Sequence, residues 1–105
     1  MYYIEYFRKK PGVSYDHFKE VVSRIYEEWK DILPEDELVL LIGRTWRLGP
    51  DFPYMAVYRI KDFSRISYWE KVVEDPVILA KMKEFLDVAD IFDAGVYEDF
   101  GEEQL

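Results

Sequence analysis

Hydrophobic and polar positions alternate through the start of the chain, as they do in a strand that buries one face. This alternation predicts a strand over Tyr2–Lys10, with Tyr3, Glu5 and Phe7 on the same face. Pro11-Gly12 ends the strand, because proline cannot donate a hydrogen bond to a neighbouring strand and glycine accepts a tight turn.

Apolar residues then recur every three or four positions, which is the spacing of a helix with one buried face. The predicted helix begins after Ser14, whose hydroxyl is a good N-cap, and runs to about Leu33, before Pro34. Its buried face is predicted to carry Phe18, Val21, Val22, Ile25, Trp29 and Ile32.

Two strands are predicted next, over Leu38–Leu48 and Tyr54–Ile60, on either side of a turn that contains glycine and two prolines. The first strand does not alternate, since every position from Leu38 to Ile42 is apolar. Both of its faces should therefore be shielded from water. Helices of this chain can cover one face of the sheet, and we expect a second copy of the chain to cover the other.

A second helical region is predicted over Arg65–Val73 and Val77–Ala89, with Ser64 as the cap of its first part. Asp75-Pro76 interrupts this region, because proline suits the first turn of a helix and aspartate can cap that turn. A last strand is predicted over Ile91–Phe100.

The predicted order of elements, β-α-β-β-α-β, is that of one ferredoxin-like α+β domain spanning residues 1–105. Right-handed crossovers place both helical regions on one face of a four-stranded antiparallel sheet. The usual strand order, 4-1-3-2, leaves the apolar strand Leu38–Leu48 at an edge. An apolar edge and an uncovered sheet face both favour pairing with another chain, so the sequence predicts a homodimer.

Composition narrows the classes of function. The chain carries a formal charge of −8, which argues against binding to nucleic acid or to an anionic membrane surface, since both depend on cationic side chains. It has no cysteine, so disulfides and thiolate ligands are excluded, and we expect neither a bound metal nor a cofactor.

The sequence also suggests where the protein works. It shows neither the pattern of a secretory signal nor an apolar run long enough to span a membrane, so we expect a cytoplasmic protein. Asparagine is absent, Gln104 is the single glutamine, and 34% of the residues are charged, a composition typical of thermophiles.

A tyrosine-rich first strand leads into Lys10-Pro11-Gly12, and a helix, a β-hairpin and a helix broken at Asp75-Pro76 follow. In this combination the chain resembles the dimeric α/β-barrel superfamily, within it the NIPSNAP-like, EthD-like and antibiotic-biosynthesis-monooxygenase-like proteins. The resemblance implies a homodimer whose two sheets close a barrel-like interior, often with a ligand cavity in each monomer. Members include cofactor-independent oxygenases, haem-degrading enzymes, lactone isomerases and ligand-sensing domains, and the fold does not choose among them.

One departure from the family bears on activity. Haem-degrading members rely on an asparagine, a tryptophan and a histidine, and some quinone-forming oxygenases also use an asparagine. This chain has no asparagine, so either activity would require a different donor.

Glu5 stands out in the first strand because its neighbours on the same face, Tyr3 and Phe7, are aromatic. A carboxylate there must be hydrated in a cavity or paired. One alternative makes Glu5 the polar anchor of a ligand cavity, with a raised pKa. The other alternative, which we favour, is an ion pair with an arginine of a neighbouring strand: Arg44, Arg47 or Arg59.

His17, the single histidine, is the other candidate for proton transfer. It stands in the first turn of the first helix, one position before the apolar Phe18. A general base needs a pocket and an orienting partner, and neither is marked in the sequence. We therefore favour His17 as a residue at the border of the buried face, with Glu5 and His17 kept as catalytic candidates.

The strand after the first helix ends in an Arg-Thr-Trp-Arg segment, and the alternation places its Arg44 and Trp46 with Leu38, Leu40 and Ile42. Arginine beside an aromatic ring suits a planar anionic ligand, and it suits a dimer interface equally well. Because this strand is predicted at an edge, we favour the interface.

The aromatic residues allow two arrangements. The strand tyrosines either line a semi-polar cavity or lie at the rim of the sheet, which we favour; they are Tyr2, Tyr3, Tyr6, Tyr54 and Tyr58. The helical aromatics are expected in the core: Trp29, Trp69 and Phe85.

The sequence thus favours a homodimer that binds a small apolar or aromatic molecule in a sheet-lined cavity. The alternatives are a cofactor-independent monooxygenase or isomerase acting in that cavity, and an oligomerisation module without a ligand. The candidate ligand-binding residues are Tyr3, Glu5, Phe7, Arg44, Trp46 and Tyr58.

Overall fold

The computed structural model describes residues 1–43 and 54–98. Its elements, in chain order, are β1 (Tyr2–Lys9), α1 (Tyr15–Ile32), β2 (Glu37–Gly43), β3 (Tyr54–Arg59), α2 (Ser64–Val72), α3 (Pro76–Val88) and β4 (Ala89–Tyr97). The α+β order and the break in the second helical region are as predicted. The predicted ends of the second and last strands lie outside the described residues.

Hydrogen bonds to side-chain oxygens stabilise the first turns of the helices. The Ser14 hydroxyl accepts a hydrogen bond from the backbone N–H of His17 at 3.2 Å, which is the N-cap expected for α1. Asp75 caps α3 in the same way, since its carboxylate accepts from the backbone N–H of Val77 at 2.8 Å. Ser64 is the first residue of α2 and not its cap, and its backbone N–H donates to the Asp62 carboxylate at 2.9 Å.

The four strands form one antiparallel sheet in the order β2-β3-β1-β4, so the apolar β2 lies at an edge as predicted. On the helix-covered face, β1 and β3 are joined in a fixed register whose pairs are Tyr3 with Tyr58, Glu5 with Ala56, and Phe7 with Tyr54. The helices α1, α2 and α3 lie over this face.

The edge strand β2 contains a bulge that changes which of its side chains share a face. Its register against β3 shifts between Leu38 and Leu40. Leu38 and Leu41 therefore pack against the core beneath the helices, whereas Leu40 and Ile42 point to the opposite face. The prediction that Leu38 shares a face with Leu40 and Ile42 is wrong, because it assumed unbroken alternation.

The core is built around Phe7, whose side chain is fully buried. Its ring stacks on Tyr54 with 5.5 Å between centroids and meets the edge of Phe85 at 5.2 Å. From α1 the buried residues are Phe18, Val21, Val22, Ile25 and Tyr26. Most of the predicted helical stripe is thus buried, and Tyr26 extends it towards the sheet.

None of the helices in the described part of the chain lies over the other face of the sheet. Large apolar side chains of the edge strands are exposed there, among them Leu40, Ile42, Phe92 and Tyr97. We call this the open sheet face. Within the described residues, none of the helices is both long and apolar enough to cross a membrane.

Candidate functional site

A cavity of about 340 Å³ lies between the sheet and the helices, at the end of the core away from Phe18. The sheet supplies its floor through Tyr3 and Glu5 of β1 and Tyr58 of β3. Its walls come from the three helices and are almost entirely apolar or aromatic: Tyr26, Trp29, Ile66, Trp69, Val72, Ile78, Met82, Phe85 and Leu86. The cavity therefore belongs to a single chain and is separate from the open sheet face.

Glu5 is the polar group on the floor of this cavity. The Tyr3 hydroxyl donates to Oε2 of Glu5 at 3.0 Å, and the Tyr26 hydroxyl donates to Oε1 at 3.1 Å. Burial raises the pKa of the Glu5 carboxyl above its ordinary value, and the two hydroxyl donors act against this rise by stabilising the carboxylate. Both oxygens thus accept hydrogen bonds, and each keeps a further lone pair.

The tyrosines around Glu5 remain neutral donors. Burial, followed by the negative charge of Glu5, raises the pKa of the Tyr3, Tyr26 and Tyr58 hydroxyls far above the physiological range. At neutral pH these hydroxyls are therefore protonated and can donate hydrogen bonds. The polar floor is accordingly one carboxyl group surrounded by phenolic donors.

Aromatic rings form the wall above the carboxyl group. Trp69 of α2 meets the ring of Tyr3 edge-on with 4.8 Å between centroids, and it meets Tyr58 at 6.3 Å. Tyr58 in turn lies 6.1 Å from the ring of Tyr26. A ligand in the cavity would therefore contact π surfaces and the Glu5 carboxyl at once.

A buried acidic side chain holds α2 over the cavity. The Asp36 carboxylate, which is 0% exposed, accepts from Nε and Nη2 of Arg65 at 2.9 and 2.7 Å and from the Trp69 indole at 2.7 Å. None of the nine α2 residues is itself buried. Because α2 packs few side chains into the core, the contacts of Asp36 account for much of its attachment.

The structure places the predicted site residues of the first strand, the third strand and the first helix in three different surroundings. Tyr3, Glu5 and Tyr58 all line the cavity, so these strand tyrosines lie on its floor and not at the rim of the sheet. Phe7 does not line the cavity, because its ring is enclosed by the core. His17 is exposed in the first turn of α1 and lies outside the cavity lining, so it does not join Glu5.

The remaining candidates are Trp46 and the three arginines considered as partners of Glu5. Arg44, Trp46 and Arg47 lie outside the described residues. The proposed ion pair between Glu5 and Arg59 is wrong, because Arg59 points to the opposite face of the sheet and its Nη1 donates to Glu37 at 2.9 Å. Among the described residues, the hydrogen-bond partners of Glu5 are Tyr3 and Tyr26.

Solved structures share this architecture. The Arabidopsis thaliana protein At3g17210 superposes with a TM-score of 0.70 at 12% identity, over 95% of each chain. SnoaB, a cofactor-independent oxygenase from Streptomyces nogalater, gives 0.63 at 13% identity over 95% of this chain and 92% of its own. An uncharacterized NIPSNAP domain protein from Burkholderia xenovorans gives 0.61 at 16% identity over 95% and 96%.

The fold is ferredoxin-like, as in these solved structures. At these identities the likeness establishes the fold, as the resemblance implied, and the chemistry has to be argued from the cavity. No protein-family model matches the sequence, and no curated protein matches it.

Trp29, Trp69 and Tyr26 were not anticipated as contributors to the cavity. Trp29 and Trp69 were expected in the core, yet both are only partly buried and line the cavity. Tyr26 was not considered at all, although it follows Val22 by four positions and precedes Trp29 by three, which extends the stripe of α1. Among residues 1–43 and 54–98, acidic and histidine side chains form no cluster of three or more that could hold a metal ion.

Proposed function

We propose that this protein binds a small, mostly apolar molecule in the cavity between its sheet and its helices. The observation that supports the proposal is an aromatic-lined space of about 340 Å³ with one carboxyl group on its floor. Ligand sites in proteins occupy roughly 300–1,000 Å³ and combine apolar walls with a few polar groups. The volume and lining of this cavity match that description.

A pair of variants tests ligand binding in the cavity. Ile78 lines the cavity, and the adjacent Leu79 points away from it and is 54% exposed. A panel of aromatic acids, phenols, quinones and amines is screened for compounds that raise the melting temperature of the parent protein. Ile78→Trp should fill part of the space and abolish this stabilisation, whereas Leu79→Trp should leave it unchanged. Equal stabilisation of both variants by every compound that stabilises the parent protein would refute the assignment.

A second candidate function is catalysis in the same cavity, as a cofactor-independent monooxygenase or an isomerase. The observation that favours it is the convergence of Glu5 with the hydroxyls of Tyr3 and Tyr26 at hydrogen-bond distance. Glu5 would accept a proton from carbon next to a carbonyl group, and the hydroxyls would stabilise the enolate. An isomerase would return the proton to another carbon. In an oxygenase, the enolate would react with dioxygen; one oxygen atom would remain on the carbon and the other would leave as water.

Proton abstraction has its own test. Nuclear magnetic resonance in deuterium oxide would follow exchange of the acidic C–H of candidate phenolic ketones in the presence of the protein. Catalysed exchange that is lost in Glu5→Gln supports an enzyme, and exchange no faster than in buffer contradicts it. The fold is similar to that of SnoaB, a cofactor-independent oxygenase. Dioxygen uptake should therefore be measured beside the exchange.

We also propose that the protein is a homodimer joined through the open sheet face. Apolar side chains exposed on this face, with the apolar edge strand β2 beside them, exceed what a water-facing sheet normally carries. Two copies related by a two-fold axis would cover each other's faces. An oligomerisation module without a ligand would show this assembly and no binding in the cavity.

A further inference from the structure

The Glu5 carboxylate lacks a positive partner within the described residues. Its hydrogen-bond donors, the hydroxyls of Tyr3 and Tyr26, are neutral. The Tyr58 hydroxyl from β3 also interacts with it electrostatically, and the cavity lining it shares includes the apolar Met82 and Phe85 from α3 and Ile91 from β4. A buried carboxylate held only by neutral donors keeps most of its charge uncompensated.

The walls of the cavity suit a cation better than they suit an anion. Tyr3, Tyr26, Tyr58 and Trp69 present aromatic rings, whose faces carry partial negative charge and attract ammonium groups. The second charged residue of the lining, Glu70 of α2, is also a carboxylate and lies at the exposed end. No lysine or arginine belongs to the described lining of the cavity.

The charge of the whole chain acts in the same direction. A formal charge of −8 on 105 residues attracts cations towards the surface and repels anions. An anionic ligand would therefore be repelled by the negative charge of the protein as it approaches. Within the cavity it would also be repelled by the carboxylates of Glu5 and Glu70. A neutral ligand would gain from the apolar walls but would leave Glu5 without a counter-charge.

We propose that the cavity selects small aromatic or aliphatic amines, with the ligand's ammonium group paired to Glu5 and enclosed by the rings of Tyr3, Tyr58 and Trp69. This inference rests on the proposed function, and it adds the charge of the ligand. The amine supplies the positive partner that Glu5 lacks among residues 1–43 and 54–98, and the apolar walls take the hydrocarbon part of the ligand. Glu5 acts here as a binding residue.

Three molecules with one carbon skeleton separate the contribution of charge from that of apolar contact. They are 2-phenylethylamine, which is a cation at neutral pH, 2-phenylethanol, which is neutral, and phenylacetate, which is an anion. Isothermal titration calorimetry on the full chain should rank them amine, alcohol, acid. In Glu5→Gln the amine should bind roughly 10- to 100-fold more weakly, because a hydrogen bond to a charged group is lost, while the alcohol changes little.

Two further variants guard against a loss of affinity caused by misfolding. Glu70→Gln removes the carboxylate at the exposed end of the cavity and should lower amine affinity only slightly. Tyr3→Phe removes a donor to Glu5 but keeps the carboxyl group itself, so preference for the amine over the alcohol should persist. Preference that survives in Tyr3→Phe and disappears in Glu5→Gln assigns the effect to the charge of Glu5.

Binding of a permanent cation also reports the ionisation of Glu5 directly. Phenethyltrimethylammonium has no titrating group, so a cation that binds the ionised carboxylate must displace any proton held by Glu5. Tyr3, Tyr26 and Tyr58 stay neutral because their pKa values are raised, which leaves Glu70 as the other acid facing the cavity. At a pH at which Glu5 is protonated, titrations in two buffers of different ionisation enthalpy should show proton release that Glu70→Gln keeps and Glu5→Gln abolishes.

The outcomes distinguish this inference from the proposed function. Equal binding of the alcohol and the amine, or an amine preference that persists in Glu5→Gln, overturns the inference and leaves a binding cavity for neutral molecules. Failure of the amine to bind at all also overturns it. The proposed function is overturned as well if none of the three molecules binds and if no panel compound stabilises the parent protein more than it stabilises Ile78→Trp.

Discussion

The indole nitrogen of Trp69 lies 2.7 Å from Oδ2 of Asp36, so one buried carboxylate fixes both the ring that covers the cavity and the helix that carries it. The same carboxylate receives two hydrogen bonds from Arg65, one turn earlier in α2. Because Trp69 meets Tyr3 across the cavity, Asp36 connects the attachment of α2 to the shape of the binding site.

Replacement of Asp36 by asparagine should destabilise the protein by about 3 kcal/mol, since Arg65 would keep a charge that is largely shielded from water. Glu35 offers a matched control, because it pairs with the same arginine at 3.1 Å but is 77% exposed. Glu35→Gln should cost less than about 1 kcal/mol. Urea unfolding measures both values, and equal losses would show that burial of Asp36 is unimportant.

Amide hydrogen exchange tests the role of Asp36 in holding α2. In Asp36→Asn, protection should fall over Ser64–Val72 more than over α1 or α3, because α2 buries no residue of its own. A uniform fall in protection across the chain would indicate a global loss of stability instead. Glu35→Gln should leave the exchange pattern unchanged.

The stability of the protein should decline as Glu5 ionises. Burial raises its pKa above the ordinary 4.5, so the folded protein binds this proton more tightly than the unfolded chain does. The resulting stabilisation is fully present below the unfolded pKa and is lost as pH rises through the folded pKa. A single titrating group changes the free energy of unfolding by at most about 1.4 kcal/mol per pH unit.

Glu5→Gln removes this titration, so its stability relative to the parent protein should rise as the pH increases above the ordinary pKa of 4.5. Urea unfolding at several pH values measures the difference. Glu27→Gln is the control, because Glu27 is 74% exposed and its curve should run parallel to that of the parent protein. A constant difference between Glu5→Gln and the parent protein at all pH values would contradict a raised pKa.

Local patterns were sufficient to predict the elements and the sheet. The apolar spacing of α1, the cap at Ser14 and the break before Pro76 depend on neighbouring residues, and the structure confirms them. The strand order was predicted as the usual one of the ferredoxin-like arrangement, and the structure has it. The bulge after Leu38 was missed, because a run of apolar residues shows no change of face.

The cavity was harder to predict, because it depends on the distance between layers. Trp29 and Trp69 have the helical spacing of core residues, and nothing local shows that α2 lies far enough from the sheet to leave space beneath it. Asp36 likewise appears as one acid of an acidic segment, and its partner Arg65 is 29 positions away. Glu5 was singled out correctly as unusual, but the hydroxyl of Tyr26 was overlooked as its partner.

Gly43 should tolerate no side chain. It pairs with Tyr54 across the sheet, and a Cβ at position 43 would overlap the Tyr54 ring. That ring is stacked on Phe7, so it cannot move without disturbing the core. Gly43→Ala should cost about 1–3 kcal/mol, with a change in the near-ultraviolet circular dichroism of tyrosine. Gly95→Ala is the control, since its Cβ would approach the nearest atom of Tyr97 at 3.3 Å and should cost less.

A charge on the open sheet face should dissociate the proposed homodimer. Leu40 is 39% exposed on this face, and a lysine there would be buried without a partner in the dimer but hydrated in the monomer. Sedimentation equilibrium should show a dimer for the parent protein and a shift to monomer for Leu40→Lys. Val77→Lys, at a 64% exposed position of α3, should remain dimeric. A monomeric parent protein, or a dimer unaffected by Leu40→Lys, would place any assembly on another surface.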